Sequence, residues 1–232
     1  MRPLESKAMA NDPLLLGHRG VRAEKAIPEN SLASFDLALA QGYDGFEFDV
    51  RLSADGQAVI CHDATSQGSE IAACSAEQLA LPSLLEVLTR YQTTAFLDIE
   101  LKVSGLEKTT VDLLRTVRPA RGFVVSSFLP AVLQTIHGMD VTVPLGLICE
   151  TREELIRWID LPVEYVIPHY KLLRQDLIAE IKDAGRKIFV WTVNSPDDMK
   201  RFSEWGVDGV ITDNPKMLSS RKKTSSGLER IR

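Results

Sequence analysis

The chain has 232 residues, of which 44% are hydrophobic and 25% are charged, the composition of an ordinary globular protein with a sizeable core. Its formal net charge of -5 argues against broad nucleic-acid binding and against attraction of the whole molecule to an anionic membrane. A local positive pocket for a small anion is compatible with that charge.

Cysteine usage and the absence of long apolar runs indicate a protein of a reducing cellular compartment. The cysteines Cys61, Cys74 and Cys149 are odd in number and include no Cys-x-x-Cys pair, so we expect free thiols rather than a disulfide framework. The N-terminal residues contain no apolar signal-peptide core, and no uncharged apolar run reaches membrane-spanning length. We therefore expect a cytoplasmic protein without stable membrane insertion; the oligomeric state is unknown from the sequence.

The first third of the chain alternates short apolar runs with turn residues. Asn30 is the predicted N-cap of the first helix, and Gly42 is the residue predicted to end it. In chain order we predict a loose segment over residues 1–12, strands over 14–17, 46–52 and 58–61, an irregular stretch over 64–82 and a helix over 84–91.

The remainder keeps a strand–helix rhythm. The predicted strands cover residues 95–101, 123–126, 145–148, 165–167, 187–193 and 209–211, and the helices between them cover 106–117, 131–136, 152–159, 175–184 and 197–205. Repeated units of this kind imply a parallel sheet. About eight strands without a compositional break favour a single-domain (β/α)8 TIM barrel over residues 13–218, with an open doubly wound sheet as the alternative. The basic, Ser-rich residues 219–232 are predicted to be a disordered tail.

Two acids lie on one face of the strand over residues 46–52. Because side chains alternate along a strand, Glu47 and Asp49 point the same way, roughly 7 Å apart. The neighbouring strands are apolar and of the parallel type, which is usually covered on both faces. Two carboxylates held away from water repel each other unless a cation lies between them. We therefore predict a divalent metal site, with solvated or ion-paired acids as the alternative.

The next strand repeats the alternation and places Asp98, Glu100 and Lys102 on one face. We predict Glu100 as the third metal ligand, and we expect Asp98 to be buried deeper or bonded to a neighbour. An all-carboxylate site favours Mg²⁺ or Ca²⁺ over zinc.

Candidate catalytic residues follow the strands, where a barrel of this class carries its active site. His18 and Arg19 end the first strand, and His62 follows the strand over residues 58–61. Two histidines can divide the work of general base and general acid. Arg19 and Lys102 suit a phosphate group, so the predicted chemistry is cleavage of a phosphate ester, most naturally a diester.

Two further residues are candidates for the pocket wall. Trp191 either lines the substrate pocket or packs in the core, and His169 either lines the pocket or is a satisfied loop histidine. We also expect Asp63 to orient His62.

Taken together, the motifs resemble the glycerophosphodiester phosphodiesterase family from about residue 14 to residue 215. The motifs are His18-Arg19-Gly20, Pro28-Glu29-Asn30-Ser31, Glu47-x-Asp49-Val50, His62-Asp63, Glu100-x-Lys102, Trp191-Thr192-Val193-Asn194 and the run from Gly206 through Thr212-Asp213-x-Pro215. The resemblance implies a TIM barrel, a divalent cation, usually Mg²⁺ or Ca²⁺, and hydrolysis of glycerophosphodiesters to sn-glycerol 3-phosphate and an alcohol. By motif it implies an acid–base pair of His18 and His62, metal ligands Glu47, Asp49 and Glu100, and phosphate contacts from Arg19 and Lys102.

One departure from the family pattern leaves the substrate open. Family members commonly carry a longer insertion with an Arg-Thr-Thr-like stretch after His-Asp, whereas here the chain runs quickly from Asp63 to Pro82. A lysophospholipase D or sphingomyelinase D-like phosphodiesterase is therefore an alternative, because an open mouth would admit an acyl chain. A non-catalytic phosphate-binding barrel is the other alternative.

Overall fold

The computed structural model describes residues 12–22, 24–215 and 217. Residues 1–11 of the predicted loose segment and the predicted tail over 219–232 lie outside the described residues. None of the described helices is long and apolar enough to cross a membrane. The cytoplasmic location stays a prediction.

Eight parallel strands of the described chain close into a barrel. The described residues also form three short strands outside the barrel, β3, β4 and β5. In chain order all of the strands are β1 Leu14–His18, β2 Gly45–Leu52, β3 Ala58–Ile60, β4 Thr65–Ser66, β5 Ser69–Glu70, β6 Phe96–Leu101, β7 Phe123–Ser127, β8 Leu145–Cys149, β9 Tyr165–Pro168, β10 Lys187–Val190 and β11 Gly209–Thr212. The order around the sheet is β1-β11-β10-β9-β8-β7-β6-β2, and pairing of β1 with β2 closes the ring. The predicted (β/α)8 barrel is confirmed, and the open doubly wound sheet is wrong.

Helices connect the strands on the outside of the barrel. The α-helices are α1 Leu32–Gln41, α2 Ala76–Leu79, α3 Leu84–Tyr91, α4 Glu107–Thr116, α5 Pro130–Met139, α6 Arg152–Leu155, α7 Gln175–Asp183 and α8 Pro196–Trp205, and short 3-10 helices cover Ile71–Ala73, Ile156–Ile159 and Tyr170–Leu172. Phe46 of β2 stacks on Phe35 of α1 with ring centroids 4.2 Å apart, and Phe48 lies 5.7 Å from the same ring. Because these phenylalanines face the helices, the alternating acids of β2 face the interior of the barrel.

The first helix begins one residue later than predicted. Ser31 is the N-cap, and its hydroxyl accepts a hydrogen bond from the Ser34 backbone N–H at 3.2 Å. Asn30 cannot cap, because its backbone is left-handed with φ at 54° and its side chain bonds Asp49 instead. Gly42 ends the helix as predicted, in the left-handed conformation.

Several other elements also differ from the predictions. The helix predicted over 152–159 is α-helical only to Leu155 and continues as a 3-10 turn. The strand predicted over 187–193 ends at Val190. The segment predicted to be irregular over 64–82 contains the β4–β5 hairpin, a 3-10 turn and α2. β3 pairs antiparallel with β2 and is not a barrel strand.

Candidate active site

Strand register brings the predicted site residues together. His18 at the end of β1 is paired with Glu47 of β2, and Asp49 of β2 is paired with Glu100 of β6. All four lie toward the C-terminal ends of neighbouring strands, which is the end where TIM barrels carry their active sites. The alternation of side chains then turns the three carboxylates to the same side.

The three predicted metal ligands form one buried cluster. Carboxylate oxygens of Glu47, Asp49 and Glu100 lie within 4.8 Å of one another, and the three residues are only 1 to 7% exposed. Glu47 Oε1 has no hydrogen-bond partner among the described residues. A buried oxygen without a donor is costly unless a cation or water satisfies it. Three converging oxygen ligands with such an orphan atom fit a hard divalent cation.

The three carboxylates of the cluster are buried close together, and this shifts their pKa values. Burial, and then the charge of Asp49, raise the pKa of Glu47 well above its usual range and that of Glu100 to about 7. Burial also acts to raise the pKa of Asp49, but Lys102 and Arg19 outweigh it and hold that carboxyl below its usual value. Lys102 and Arg19 thus stabilise the ionised form of Asp49, whereas burial and repulsion by Asp49 disfavour the ionised forms of Glu47 and Glu100.

Asp98 lies deeper in the barrel and is fully buried. The hydroxyl of Ser126 on β7 donates to its Oδ1 at 2.5 Å. Burial raises the pKa of Asp98 to about 7. The residue is therefore bonded to a neighbour, as expected from the sequence.

Two cations border the acidic cluster. Lys102 Nζ lies 2.6 Å from Glu100 Oε1 and 3.3 Å from Asp49 Oδ1. Arg19 Nε lies 3.2 Å from Asp49 Oδ2, and its Nη1 donates to Glu29 Oε1 at 2.6 Å. Both side chains also line the cavity described below, so each is placed to contact an anion bound there.

The position of Arg19 is set by its backbone. Its φ of 54° is left-handed, and its N–H donates to Glu47 Oε2 at 3.0 Å. Gly20 follows at a φ of 83°, packed so closely that a Cβ there would lie 2.4 Å from the Ser34 hydroxyl. Asn30 completes the turn by donating from its side chain to Asp49 Oδ2 at 2.8 Å. Hydrogen bonds thus link the motif residues Arg19 and Asn30 to the acids Glu47 and Asp49.

Both predicted catalytic histidines are held at Nδ1 by a carboxylate. His18 Nδ1 lies 2.8 Å from Asp213 Oδ1, and its Nε2 lies 3.8 Å from Glu47 Oε2. His62 Nδ1 lies 2.7 Å from Asp63 Oδ1, so Asp63 is placed to orient it as expected. With Nδ1 occupied, Nε2 is the nitrogen of each ring that remains for a substrate.

A cavity of about 300 Å³ unites these residues. One half of its wall is polar and the other half is apolar. The polar half consists of His18, Arg19, Glu47, His62, Asp98, Glu100 and Lys102, and the other half consists of Phe128, Ile148, Ile167, Trp191 and Ile211, with Glu150 beside it. Asp49 does not line this cavity, although its oxygens belong to the acidic cluster.

The two candidates for the pocket wall differ in position. Trp191 lines the cavity and donates from its indole nitrogen to the Ile167 carbonyl at 2.9 Å. His169 does not line it; its ring packs against Trp191 with centroids 5.2 Å apart.

Sequence reasoning gave no role to four residues that belong to this region. Asp213 and Asn194 occur in the quoted motifs, and Asn194 donates to Asp213 Oδ2 at 3.0 Å. Phe128 and Glu150 each come directly after a barrel strand, β7 and β8, and both line the cavity. Their position just beyond the C-terminal end of a strand was the signal available in the sequence.

Comparison with known proteins agrees with this geometry. The model of the glycerophosphoryl diester phosphodiesterase family matches residues 18–81 and 73–217. A glycerophosphodiester phosphodiesterase of Caldanaerobacter subterraneus is 30% identical over 234 residues, covering 88% of this chain and 96% of the relative. A glycerophosphodiester phosphodiesterase of Bacillus subtilis is 26% identical over 257 residues, covering 90% and 86%.

Solved structures agree as well. An Oleispira antarctica phosphodiesterase in complex with the product sn-glycerol-3-phosphate superposes with a TM-score of 0.81 at 26% identity, covering 90% of this chain and 97% of that one. A glycerophosphodiester phosphodiesterase of Parabacteroides distasonis gives 0.81 at 25% identity, covering 94% and 99%. The chain therefore belongs to the glycerophosphoryl diester phosphodiesterase family and is an enzyme of that family.

Proposed function

We propose that the protein hydrolyses glycerophosphodiesters to sn-glycerol 3-phosphate and an alcohol, using a divalent cation and a pair of histidines. One observation carries the proposal: two histidines, two acids of the buried cluster and two cations line a single cavity. That the Oleispira antarctica phosphodiesterase holds sn-glycerol-3-phosphate as its product supports the substrate class.

Glu47, Asp49 and Glu100 would hold the cation, which we expect to be Mg²⁺ or Ca²⁺ because the ligand atoms are all carboxylate oxygens. When bound, it would neutralise charge on the phosphate and make an attacking oxygen more acidic. Arg19 and Lys102 supply two further positive charges on the same wall. A phosphate group placed between them receives N–H donors from both, and the planar guanidinium suits two of its oxygens.

His18 and His62 would share the proton transfers. One imidazole takes the proton of the attacking hydroxyl at its Nε2, and the other gives a proton to the departing alkoxide. The carboxylates of Asp213 and Asp63 hold the two rings at Nδ1 and so fix which nitrogen performs this exchange. The attacking hydroxyl belongs either to water or to the glycerol of the substrate. Trp191 would form a wall for the substrate, with His169 packed behind it.

The test is release of sn-glycerol 3-phosphate from a glycerophosphodiester by the purified protein. We expect turnover that EDTA abolishes and that added Mg²⁺ or Ca²⁺ restores. His18→Ala and His62→Ala should each retain the fold and lose at least about a hundredfold in kcat, the size of a positioned proton transfer. His137→Ala, on α5 and outside the cavity, is the matched control and should leave kcat unchanged. Full activity in EDTA would reject the metal role.

A lysophospholipid arm addresses the first alternative. The apolar half of the cavity would also accept part of an acyl chain, so lysophosphatidylcholine is incubated beside the glycerophosphodiester. Faster release from the lysophospholipid would move the substrate class to lipids. Tight binding of glycerol 3-phosphate without turnover of any diester would instead favour the non-catalytic barrel.

A further inference from the structure

The two histidines of the site have very different surroundings. His18 belongs to the barrel strand β1, and the side chains of His18 and its partner Asp213 are 13% and 26% exposed. His62 follows β3, which is not a barrel strand, and the side chains of His62 and Asp63 are 34% and 75% exposed. An exposed ion pair contributes little to holding a side chain in place. A fixed position of His62 therefore requires contacts other than the one with Asp63.

The C-terminal half of β2 supplies such contacts. The Cys61 N–H donates to the Asp49 carbonyl at 3.0 Å, which anchors the backbone just before His62. The Nε of Arg51 donates to the His62 carbonyl at 2.7 Å. Because side chains alternate along a strand, Arg51 follows Glu47 and Asp49 on one face of β2, nearer the C-terminal end. The strand that carries two acids of the cluster thus also holds the peptide of His62.

The hydrogen bond to His62 accounts for the placement of Arg51. Apart from it, Arg51 forms no hydrogen bond and no ion pair with any residue that the structure describes. The charge of the guanidinium strengthens the bond to a neutral carbonyl. Its rigid, planar fork also fixes the direction of the Nε–H. The contact therefore constrains both the distance and the orientation of the peptide that carries the imidazole.

Arg51 does not line the cavity that would hold the substrate. His62 lines that cavity, whereas Arg51 lines a separate recess of about 320 Å³ together with Ala64, Ile71 and Val103. The guanidinium is therefore placed to act on the histidine and not to contact the phosphate group. Its removal should affect a step that depends on His62 and not the affinity for the substrate.

We propose that Arg51 is a positioning residue, which through the His62 carbonyl holds the imidazole of His62 where its Nε2 exchanges a proton with the substrate. The catalytic consequence rests on the proposed function, whereas the link between Arg51 and the His62 peptide does not. A displacement of about 1 Å can cost about a hundredfold in rate, so the loss of one bond to this peptide is enough to slow the reaction.

A double-mutant cycle tests whether Arg51 acts through His62. Arg51→Met keeps an unbranched stem and removes the donor; it should lower kcat on a glycerophosphodiester about tenfold and change KM by no more than about twofold. In the His62→Ala background the same substitution should lower kcat by less than about twofold, because the group that Arg51 positions is already absent. Arg121→Met, which removes an exposed positive charge just before β7, should change neither constant.

Arg51→Lys keeps the charge but not the planar fork, and it should lower kcat about threefold. It replaces Arg51→Met in the cycle if circular dichroism shows that the methionine variant is unfolded. An equal fall in kcat with and without His62 would overturn the proposal, because Arg51 would then act independently of the histidine. A rise in KM with kcat unchanged, or full activity of the variant used, would overturn it as well.

A second measurement does not depend on activity. The protein has 4 histidines, so the ring signals of isotope-labelled histidine can be assigned by nuclear magnetic resonance from their loss in His18→Ala and His62→Ala. In Arg51→Met the signal of His62 should shift or broaden while that of His18 stays in place. An unchanged His62 signal would overturn the positioning role even if kcat fell. Absence of glycerol 3-phosphate release by the unaltered protein would overturn the proposed function, whereas the ring signal decides the link to Arg51 separately.

Discussion

His18 Nδ1 lies 2.8 Å from Oδ1 of Asp213, although 195 residues separate the two along the chain. The contact exists because β11 pairs with β1 in the closed barrel. Burial acts to raise the pKa of Asp213, but the hydrogen bond and charge of His18 outweigh it and lower that pKa. An ionised Asp213 accepts the Nδ1–H of His18 and so leaves Nε2 free to take a proton.

Asp213→Asn tests this arrangement. The amide can donate to Nδ1 and thereby favour the wrong tautomer of His18, so we expect kcat to fall about a hundredfold or more. KM should change by no more than about twofold, because no phosphate contact is removed. Steady-state kinetics on a glycerophosphodiester give both values. Asp160→Asn, at an exposed position, is the charge control. A rise in KM with kcat unchanged would place Asp213 in substrate binding instead.

The barrel and most of its site follow from short-range patterns. The strand–helix rhythm predicts the fold, and alternation along β2 and β6 predicts that Glu47, Asp49 and Glu100 point the same way. Parallel register then sets Asp49 beside Glu100. These features depend on spacing within one strand or on general rules for barrels, so a single sequence contains them.

The remaining features depend on long-range pairing or on unusual backbone. Asp213 meets His18 only after the ring has closed, and nothing local to either residue indicates the pairing. Asn30 has a residue type common at helix N-caps, yet a positive φ turns its side chain to Asp49. Glu150 looks like an ordinary polar residue before a helix until its place on the cavity wall is known.

Glu47→Gln should separate stability from metal binding. Burial and the charges of Asp49 and Glu100 disfavour ionised Glu47, so the neutral amide should leave the metal-free protein at least as stable. A cation at about 100 times its Kd stabilises a protein by about 2.7 kcal/mol, and this gain should disappear in the variant. Urea unfolding with EDTA and with Mg²⁺ or Ca²⁺ measures both effects. Glu77→Gln, an exposed acid, should keep the full gain. An undiminished gain in Glu47→Gln would remove Glu47 from the ligand set.

The raised pKa of Glu100 makes the stability of the metal-free protein depend on pH. Its pKa is raised from an ordinary 4.5 to about 7, chiefly by burial and then by Asp49. Between these values the folded protein keeps a proton that the unfolded chain has lost, so this contribution to stability falls as pH rises through the window. Glu100→Gln lacks that proton exchange. Unfolding in urea and EDTA should therefore show the variant gaining on the unaltered protein from pH 4.5 to about 7. A difference independent of pH would contradict the assignment.

Two glycine substitutions should shift stability in opposite directions. In Gly20→Ala the new Cβ would lie 2.4 Å from the Ser34 hydroxyl and 2.7 Å from the Ser34 carbonyl carbon, at a backbone φ of 83°. Left-handed strain and overpacking should together cost about 2–4 kcal/mol.

Displacement of Ser34 would also disturb the hydrogen bond from its hydroxyl to the Arg19 carbonyl, so kcat/KM should fall as well.

Gly138 lies inside α5 with nothing within 4 Å of an added Cβ. Gly138→Ala should therefore stabilise the protein by about 0.5 kcal/mol through better helix propensity, without effect on kcat/KM. Urea unfolding and phosphodiester turnover of the two variants check both signs. A Gly20→Ala variant as stable and active as the unaltered protein would mean that the turn holding Arg19 is not under the steric constraint described.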